Sequence, residues 1–278
     1  MTAPPVDPAT VAADLVEVEP GRWVARGMGA VSYPASGHRS LAELEDASWW
    51  FRHRSACIVA AVRRAPPGGT ILDIGGGNGV VSMALRAAGF PTLLMEPGEV
   101  GARNALRRGL APVVHATFEA VGIRPGSLPA AGLFDVLEHI EDDEGFLRTL
   151  ADALAPGGRL YLTVPAHRAL WSPEDVAAGH HRRYGPRTLR ASLVAGGFAV
   201  ERITSIFWPL PLPILLARTV ASQVGLREDR GAAARRGEYV APGPLADALI
   251  RAALAPARAL VARGHGSPLR SEEHTSEL

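Results

Sequence analysis

Residues 71 to 79, Ile-Leu-Asp-Ile-Gly-Gly-Gly-Asn-Gly, narrow the choice of folds more than any other stretch of this chain. An apolar run that ends in Asp73 predicts a buried parallel strand, and Gly75, Gly77 and Gly79 let the backbone turn sharply into a helix beginning near Val80. With no side chains in the way, the loop amides can come close to a bound cofactor. Asp73 supplies an acceptor for an ammonium or hydroxyl donor at the strand's carboxyl end. The spacing is Gly-x-Gly-x-Gly. Dinucleotide folds carry Gly-x-Gly-x-x-Gly, and the position of their third glycine is occupied here by Val80.

The chain is long enough for one large α/β domain with an appended cap. A net charge of +1 with 47% hydrophobic residues argues against a disordered protein, and against a nucleic-acid partner held by bulk charge. Cys57 is the only cysteine, which excludes disulfides and multi-cysteine metal sites and fits a reducing compartment. Residues 1–13 lack the apolar segment of a signal peptide, so a cytoplasmic location is expected. The apolar run 207–216 is too short for a spanning helix and is broken by Pro209, Pro211 and Pro213. Peripheral contact with a membrane through 207–226 is compatible with it.

In order, residues 1–39 read as a leader with a hairpin, strands at 15–18 and 23–25 turning at Pro20-Gly21. A capping box of Ser40 and Glu43 opens a helix running to about Val62. After the glycine loop come a helix to Ala88, a strand at 92–96, a helix at 98–108 and strands at 113–115 and 130–134. A helix over 141–154, stopped by Pro156-Gly157-Gly158, precedes a strand at 159–164. A long loop at 165–185, a helix to Ala195 and a sixth strand at 198–206 complete the domain, assigned 40–206. This rhythm predicts a doubly wound, Rossmann-like, mostly parallel sheet whose ligand lies at the carboxyl ends of the strands. Residues 207–269 read as a cap over the site, including an amphipathic helix at 245–262 interrupted by Pro256. The final nine residues, 270–278, are foreign in composition to the preceding chain and read as a translated sequencing adapter.

The motif series Leu72-Asp73-Ile74-Gly75-Gly76-Gly77-Asn78-Gly79, Glu96, Phe134-Asp135-Val136-Leu137-Glu138-His139-Ile140 and Leu154-Ala155-Pro156-Gly157-Gly158-Arg159-Leu160 resembles class I S-adenosylmethionine-dependent methyltransferases, in particular the bacterial group related to ubiquinone-type O-methyltransferases. Trp50-Phe51-Arg52, Val164-Pro165-Ala166 and 179–184 are similar to a subgroup associated with surface glycans or lipids. The resemblance implies a seven-stranded sheet whose last, antiparallel strand comes from the chain's end. In this sequence that strand is expected to be missing, because the adapter-like peptide stands in its place.

The resemblance also assigns roles. Asp73, Gly75, Gly76, Gly77 and Gly79 would hold the methionine end of S-adenosylmethionine, although the same glycines would serve a plain strand-to-helix turn. Glu96, 23 residues after Asp73, is placed to accept both ribose hydroxyls, a spacing that also suits NAD. Thr117 and Phe118 would meet the adenine, and Asp135 would lie beside the reactive sulfonium. His139 is either a general base for an oxygen acid or a capping or core histidine. His180, His181, Arg183 and Tyr184 form a polar cluster after the fifth strand, with His181 a second candidate for catalysis and Arg183 and Tyr184 for substrate. Adjacent histidines point in different directions and no paired carboxylates accompany them, so no metal is expected. Trp50 and Trp171 would line or lid the pocket, or simply belong to the core.

The function expected is methyl transfer to a small-molecule or lipid- or glycan-linked acceptor. There is no Pro-Cys nucleophile and no Asn-Pro-Pro-Tyr or Asp-Pro-Pro-Tyr after the fourth strand, which favours oxygen as the acceptor atom. An NAD-dependent oxidoreductase or epimerase is disfavoured by the loop spacing and by the absence of any lysine for a Tyr-x-x-x-Lys pair. A non-catalytic, membrane-peripheral cofactor-binding scaffold is the third reading.

Overall fold

The computed structural model describes residues 7–12, 14–25, 42, 44–207, 240 and 243–263. Strands β1 (Leu15–Glu19) and β2 (Arg22–Ala25) form a hairpin, and helix α1 (Trp49–Arg64) leads into β3 (Ile71–Ile74). Then come α2 (Val80–Ala87), β4 (Thr92–Met95), α3 (Glu99–Arg107), β5 (Val113–His115), β6 (Leu128–Phe134), α4 (Asp143–Ala153) and β7 (Leu154–Thr163). Helices α5 (Pro173–Ala178), α6 (Pro186–Ala195) and α7 (Pro244–Arg263) follow.

The strands form one sheet in the order β1-β2-β5-β4-β3-β6-β7, parallel at every pairing except the β1–β2 hairpin. From β3 the chain winds outward to β4 and β5, then returns to the other side of β3 for β6 and β7. The strand order therefore reverses between β3 and β6, and such a reversal opens a crevice at the carboxyl ends of the two strands. All four residues of β3 are buried. They alternate between two layers: Ile71 packs with Ile58 and Val62 of α1 and Val81 and Leu85 of α2, while Leu72 and Ile74 pack with Phe146, Leu147 and Leu150 of α4 and Leu189 and Leu193 of α6. A central strand covered by helices on both faces explains why its sequence is continuously apolar up to Asp73.

Several boundaries differ from the expectation for physical reasons. The hairpin expected in a leader is part of the sheet, with β2 parallel to β5 and Trp23 opposite Val114. Helix α1 begins at Trp49 because the Ser48 hydroxyl accepts the amides of Trp50 (3.2 Å) and Phe51 (3.4 Å), a cap worth about 1 kcal/mol. The expected capping pair Ser40 and Glu43 lies outside the described residues.

The strand expected at 198–206 is not formed. Residues 198–205 make no strand pairing, although Phe198, Val200 and Ile203 pack on the core and Glu201 pairs with Arg159 at 2.9 Å. The apolar alternation there stops at Val200, where Glu201 and Arg202 are both exposed. Among the described residues no strand pairs with the outer edge of β7, and the seven strands are reached through the hairpin.

Pro256 does not interrupt α7, which runs continuously through it. Leu254, Ala257 and Val261 are its buried residues, it packs against α1, and Asp247 in its first turn pairs with Arg52 of α1. Most of 207–243 and all of 270–278 lie outside the described residues.

Candidate active site

The loop after β3 is built against β4 and the turn that follows it. The Gly76 amide donates to the Met95 carbonyl (3.1 Å), and the Gly77 amide donates to Glu96 Oε2 (2.8 Å). Glu96 Oε1 accepts the Gly98 amide (2.6 Å), so one carboxylate fastens the glycine loop to the next turn. Gly79 takes φ +86°, and a Cβ there would lie 2.2 Å from Leu110 Cδ1. Both the backbone angle and the packing therefore demand glycine at that position. Gly75, Gly76 and Gly77 stay partly exposed while Asn78 and Gly79 are buried, so the backbone of the first three glycines is itself surface.

Asp73 lies beneath this loop. It is fully buried, Ser82 Oγ donates to its Oδ2 at 2.6 Å, and its Oδ1 has no hydrogen-bond partner among the described residues. Burial pushes its pKa up to about 6, opposed by the Ser82 hydrogen bond and by Arg54. Burial likewise lifts Glu96 to about 7, against the two loop amides, with the charge of Asp73 adding to the rise. Asn78 is tied from both sides: its amide donates to Glu45 Oε1 (3.1 Å), and its carbonyl oxygen accepts from Asn104 (2.9 Å). Glu45 in turn pairs with Arg108 at 2.9 Å. The segment ahead of α1 is thus bonded to the glycine loop.

Across the crevice, the β3–β6 register sets Ile74 opposite Leu133, which brings Gly75 beside the end of β6. A Cβ on Gly75 would be 2.8 Å from Val136 Cγ2. Asp135 follows β6 with φ +61°, an angle that costs a non-glycine residue about 1 kcal/mol or more. Three bonds hold it there. Its amide donates to the Thr163 carbonyl (2.9 Å), its Oδ1 accepts from Thr163 Oγ1 (2.9 Å), and its Oδ2 pairs with Arg54 at 2.8 Å.

Arg54 is buried on α1, and its guanidinium lies 5.7 Å from the ring centroid of Trp50. Trp50 stacks on Phe207, with centroids 5.2 Å apart and planes 12° apart. Sequence reasoning missed Arg54. The signal was available: Arg54, Ile58 and Val62 recur every four residues, so a cation occupies the helix's buried stripe.

Glu138 and His139 form a short helical turn after Asp135. Glu138 is fully buried, and its carboxylate oxygens have no hydrogen-bond partner among the described residues. Burial first, and then the charge of Asp135, raise its pKa well above the usual range. Burial and the neighbouring His180 lower His139 to about 4, against a hydrogen bond to the Gly179 backbone. The His139 and His180 rings meet edge to face at 4.7 Å. His180 Nδ1 is held 2.9 Å from Asp175 Oδ1.

Glu138, His139 and His180 each offer one ligand atom, all within 4.8 Å of one another. Two imidazoles and a carboxylate form a donor set that suits a divalent ion such as zinc. The expectation of no metal considered only the adjacent pair His180 and His181. The fold takes His180 from that pair and adds Glu138 and His139.

Other sequence candidates serve the scaffold. Phe118 is a core residue packed edge to face on Phe146 at 5.5 Å. Thr117, half-buried beyond β5, remains near the loop side of the sheet. Tyr184 is buried and its hydroxyl donates to Asp143 Oδ2 (2.7 Å). Arg183 is engaged with Asp175 at 2.9 Å and with the Ala166 carbonyl, contacts that anchor the loop. His181 has an exposed ring, and its amide donates to the Glu138 carbonyl (2.8 Å). Trp171 is 41% exposed, at the surface of the 165–185 segment.

A doubly wound sheet with a glycine loop at its switch point, an acidic residue just past the second strand of that unit, and a carboxylate–imidazole group after β6 are the features of a nucleotide-cofactor-binding α/β enzyme. A family described as "Methyltransferase domain" matches residues 40–203. The chain belongs to this family and has the fold of class I S-adenosylmethionine-dependent methyltransferases.

Among relatives, the ubiquinone biosynthesis O-methyltransferase of Xanthomonas campestris pv. campestris is 29% identical over 109 residues, covering 37% of this chain and 46% of that protein. The chain therefore spans less than half the length of this relative. A Mycolicibacterium smegmatis protein named probable S-adenosylmethionine-dependent methyltransferase is 25% identical, covering 72% of this chain and 79% of its own. Of solved structures, phosphoethanolamine N-methyltransferase 2 of Haemonchus contortus, in complex with S-adenosyl-L-methionine, shares the fold with a TM-score of 0.54. It is 17% identical and covers 76% of this chain and 55% of that one.

Proposed function

We propose that this methyltransferase carries the methyl group of S-adenosylmethionine to an oxygen of a small-molecule or lipid- or glycan-linked acceptor. The carrying observation is the group of Asp135, Glu138 and His139 after β6, where Val136 meets Gly75, with His180 brought against His139 by the segment after β7. The glycine loop fits the cofactor. Its exposed backbone between Gly75 and Gly77 and the buried acceptors of Asp73 and Glu96 suit the ammonium and ribose of a nucleoside-linked amino acid. The cofactor supplies an electrophilic methyl on a positively charged sulfur.

The chain's own residues then have three tasks. Glu96 keeps the loop amides in place while accepting hydroxyl donors, and Asp73 sets the loop from below through Ser82. Asp135, fixed by Arg54 and Thr163, presents a carboxylate at the rim of the crevice. His139 is neutral at physiological pH and accepts a hydrogen bond from an acceptor hydroxyl. Its lowered proton affinity makes it a weak general base, so alignment of the nucleophile contributes more than proton removal. Exposed His181 is assigned to the entrance, and Trp50 and Trp171 to the walls of the acceptor's path.

Support for oxygen comes from an environment of acceptor groups suited to a hydroxyl donor and from the O-methyltransferase relatives. The test uses carbon-13 methyl-labelled S-adenosylmethionine with a panel of phenols, alcohols, sugars and amines. Oxygen-bound methyl carbons resonate apart from nitrogen-bound ones. Label on oxygen is expected, and label only on amines would overturn the assignment.

A further inference from the structure

Glu138 performs no task in the transfer proposed above. It is 0% exposed, and neither of its carboxylate oxygens has a hydrogen-bond partner from another described residue. A buried carboxylate is costly unless a cation or a donor meets it. The two neighbouring guanidiniums are engaged elsewhere, Arg54 with Asp135 at 2.8 Å and Arg183 with Asp175 at 2.9 Å. The groups that converge on Glu138 are two imidazoles, His139 from the same helical turn and His180 from the segment after β7. One donor atom from each of the three residues lies within 4.8 Å of the others.

Both rings are fastened from outside the cluster. Asp175, whose side chain is 1% exposed and which also accepts the Ser172 amide (2.8 Å), holds His180 Nδ1 at 2.9 Å. His139 is hydrogen-bonded to the Gly179 backbone. Histidines that ligate metals carry such an outer bond, to a carboxylate or to the backbone, because it fixes the ring and strengthens the other nitrogen as a donor. Tetrahedral ligands at about 2.0–2.2 Å from zinc stand roughly 3.4 Å apart, so side-chain rotation that closes the three donors by no more than about 1.5 Å would bring them onto one ion. Two imidazoles with one carboxylate favour zinc and its transition-metal neighbours over magnesium, which takes oxygen ligands and keeps several waters.

We propose that Glu138, His139 and His180 bind one divalent ion of the zinc class at the acceptor side of the crevice. Three protein ligands are the pattern of a catalytic metal site, and the fourth position stays open to water or to an oxygen of the acceptor. In the ion-bound protein His139 is a ligand, and an acceptor hydroxyl meets the open position in its place. That last placement rests on the oxygen-acceptor reading, whereas binding of the ion does not.

The test is titration of the full chain, freed of metal by dialysis against a chelator, with zinc, cobalt or magnesium chloride. Calorimetry should show one zinc per chain at micromolar affinity or tighter, with magnesium bound about 100-fold more weakly or less. Cobalt should give the visible absorption of a four- or five-coordinate ion. Glu138→Gln and His180→Ala should each weaken zinc binding about 100-fold, and Asp175→Asn by about 10-fold to 100-fold. His181→Ala, which removes the exposed neighbouring imidazole, should bind zinc like the parent. Zinc should raise the unfolding temperature of the parent and leave that of Glu138→Gln unchanged, and the metal-free melting curves identify any variant that merely fails to fold. The proposal is overturned if the metal-free chain takes up no zinc, if Glu138→Gln binds zinc as tightly as the parent, or if magnesium binds as tightly as zinc. It is also overturned if His181→Ala loses as much affinity as His180→Ala, which would mark an adventitious surface pair. None of these readouts uses methyl transfer, so failure of the oxygen-acceptor reading leaves them unchanged.

Discussion

Glu96 couples cofactor binding to pH, and Glu96→Gln isolates the effect. The carboxylate is 3% exposed and takes both the Gly77 and Gly98 amides, yet burial still lifts it from the usual 4.5 to about 7. A carboxyl group with a raised folded-state pKa holds its proton longer folded than unfolded. Its stabilising contribution is therefore full below about pH 4.5 and is lost as pH rises through 7, a change on the order of 3 kcal/mol. Cofactor binding runs the other way. The ionised form accepts the ribose hydroxyls, so binding draws the proton off and affinity rises with pH. Between pH 5.5 and 8 the gain due to Glu96 alone is about 30-fold, levelling above 7.

Calorimetric titration with S-adenosylhomocysteine in two buffers of different ionisation enthalpy measures both the affinity and the protons released. The parent should release about 1.4 protons at pH 6, roughly 0.9 from Glu96 and roughly 0.5 from Asp73. Glu96→Gln should bind at least tenfold more weakly at pH 8 and lose the inflection near 7, keeping only the lower one from Asp73 near 6. A parent affinity that is flat with pH, or an unchanged profile in the variant, would refute the coupling.

Gly79→Ala should cost about 2–3 kcal/mol in denaturant unfolding, because it sets a Cβ 2.2 Å from Leu110 Cδ1 on a residue with φ +86°. Arg54→Ala should cost about 2 kcal/mol, below the range for a fully buried pair because Asp135 keeps a third of its side chain in solvent, and should weaken S-adenosylhomocysteine binding by releasing Asp135. His139→Ala should lower kcat by only about tenfold with cofactor affinity unchanged, and His181→Ala by less; a loss of several thousandfold for His139→Ala would restore a full general-base role. Zinc added to the metal-free protein should shift the imidazole NMR signals of His139 and His180 together, and Glu138→Ala should abolish that shift.

The glycine loop and its flanking strands were legible because their demands are local. Backbone angles at Gly75, Gly77 and Gly79 and burial of Ile71 to Ile74 leave direct marks in residue type. The doubly wound order followed from the helix–strand rhythm. Contacts between distant segments left weaker marks. Glu138, His139 and His180 converge only because the 165–185 segment folds back until the His181 amide meets the Glu138 carbonyl. Tyr184 and Phe118 stand where a motif suggests ligand contact, and both also pack in the core between the sheet and α4, a role that the motif alone does not mark. Arg54 shows the opposite case, a charged residue on a buried helical stripe, where the periodicity alone marks a site residue.

Titration of the purified chain with S-adenosylmethionine, S-adenosylhomocysteine and NAD in parallel tests the central claim most directly. The account predicts micromolar binding of both adenosyl ligands, none of NAD, and loss of binding in Asp73→Ala and Glu96→Ala. Binding of NAD alone, or adenosyl binding that survives both substitutions, would contradict it.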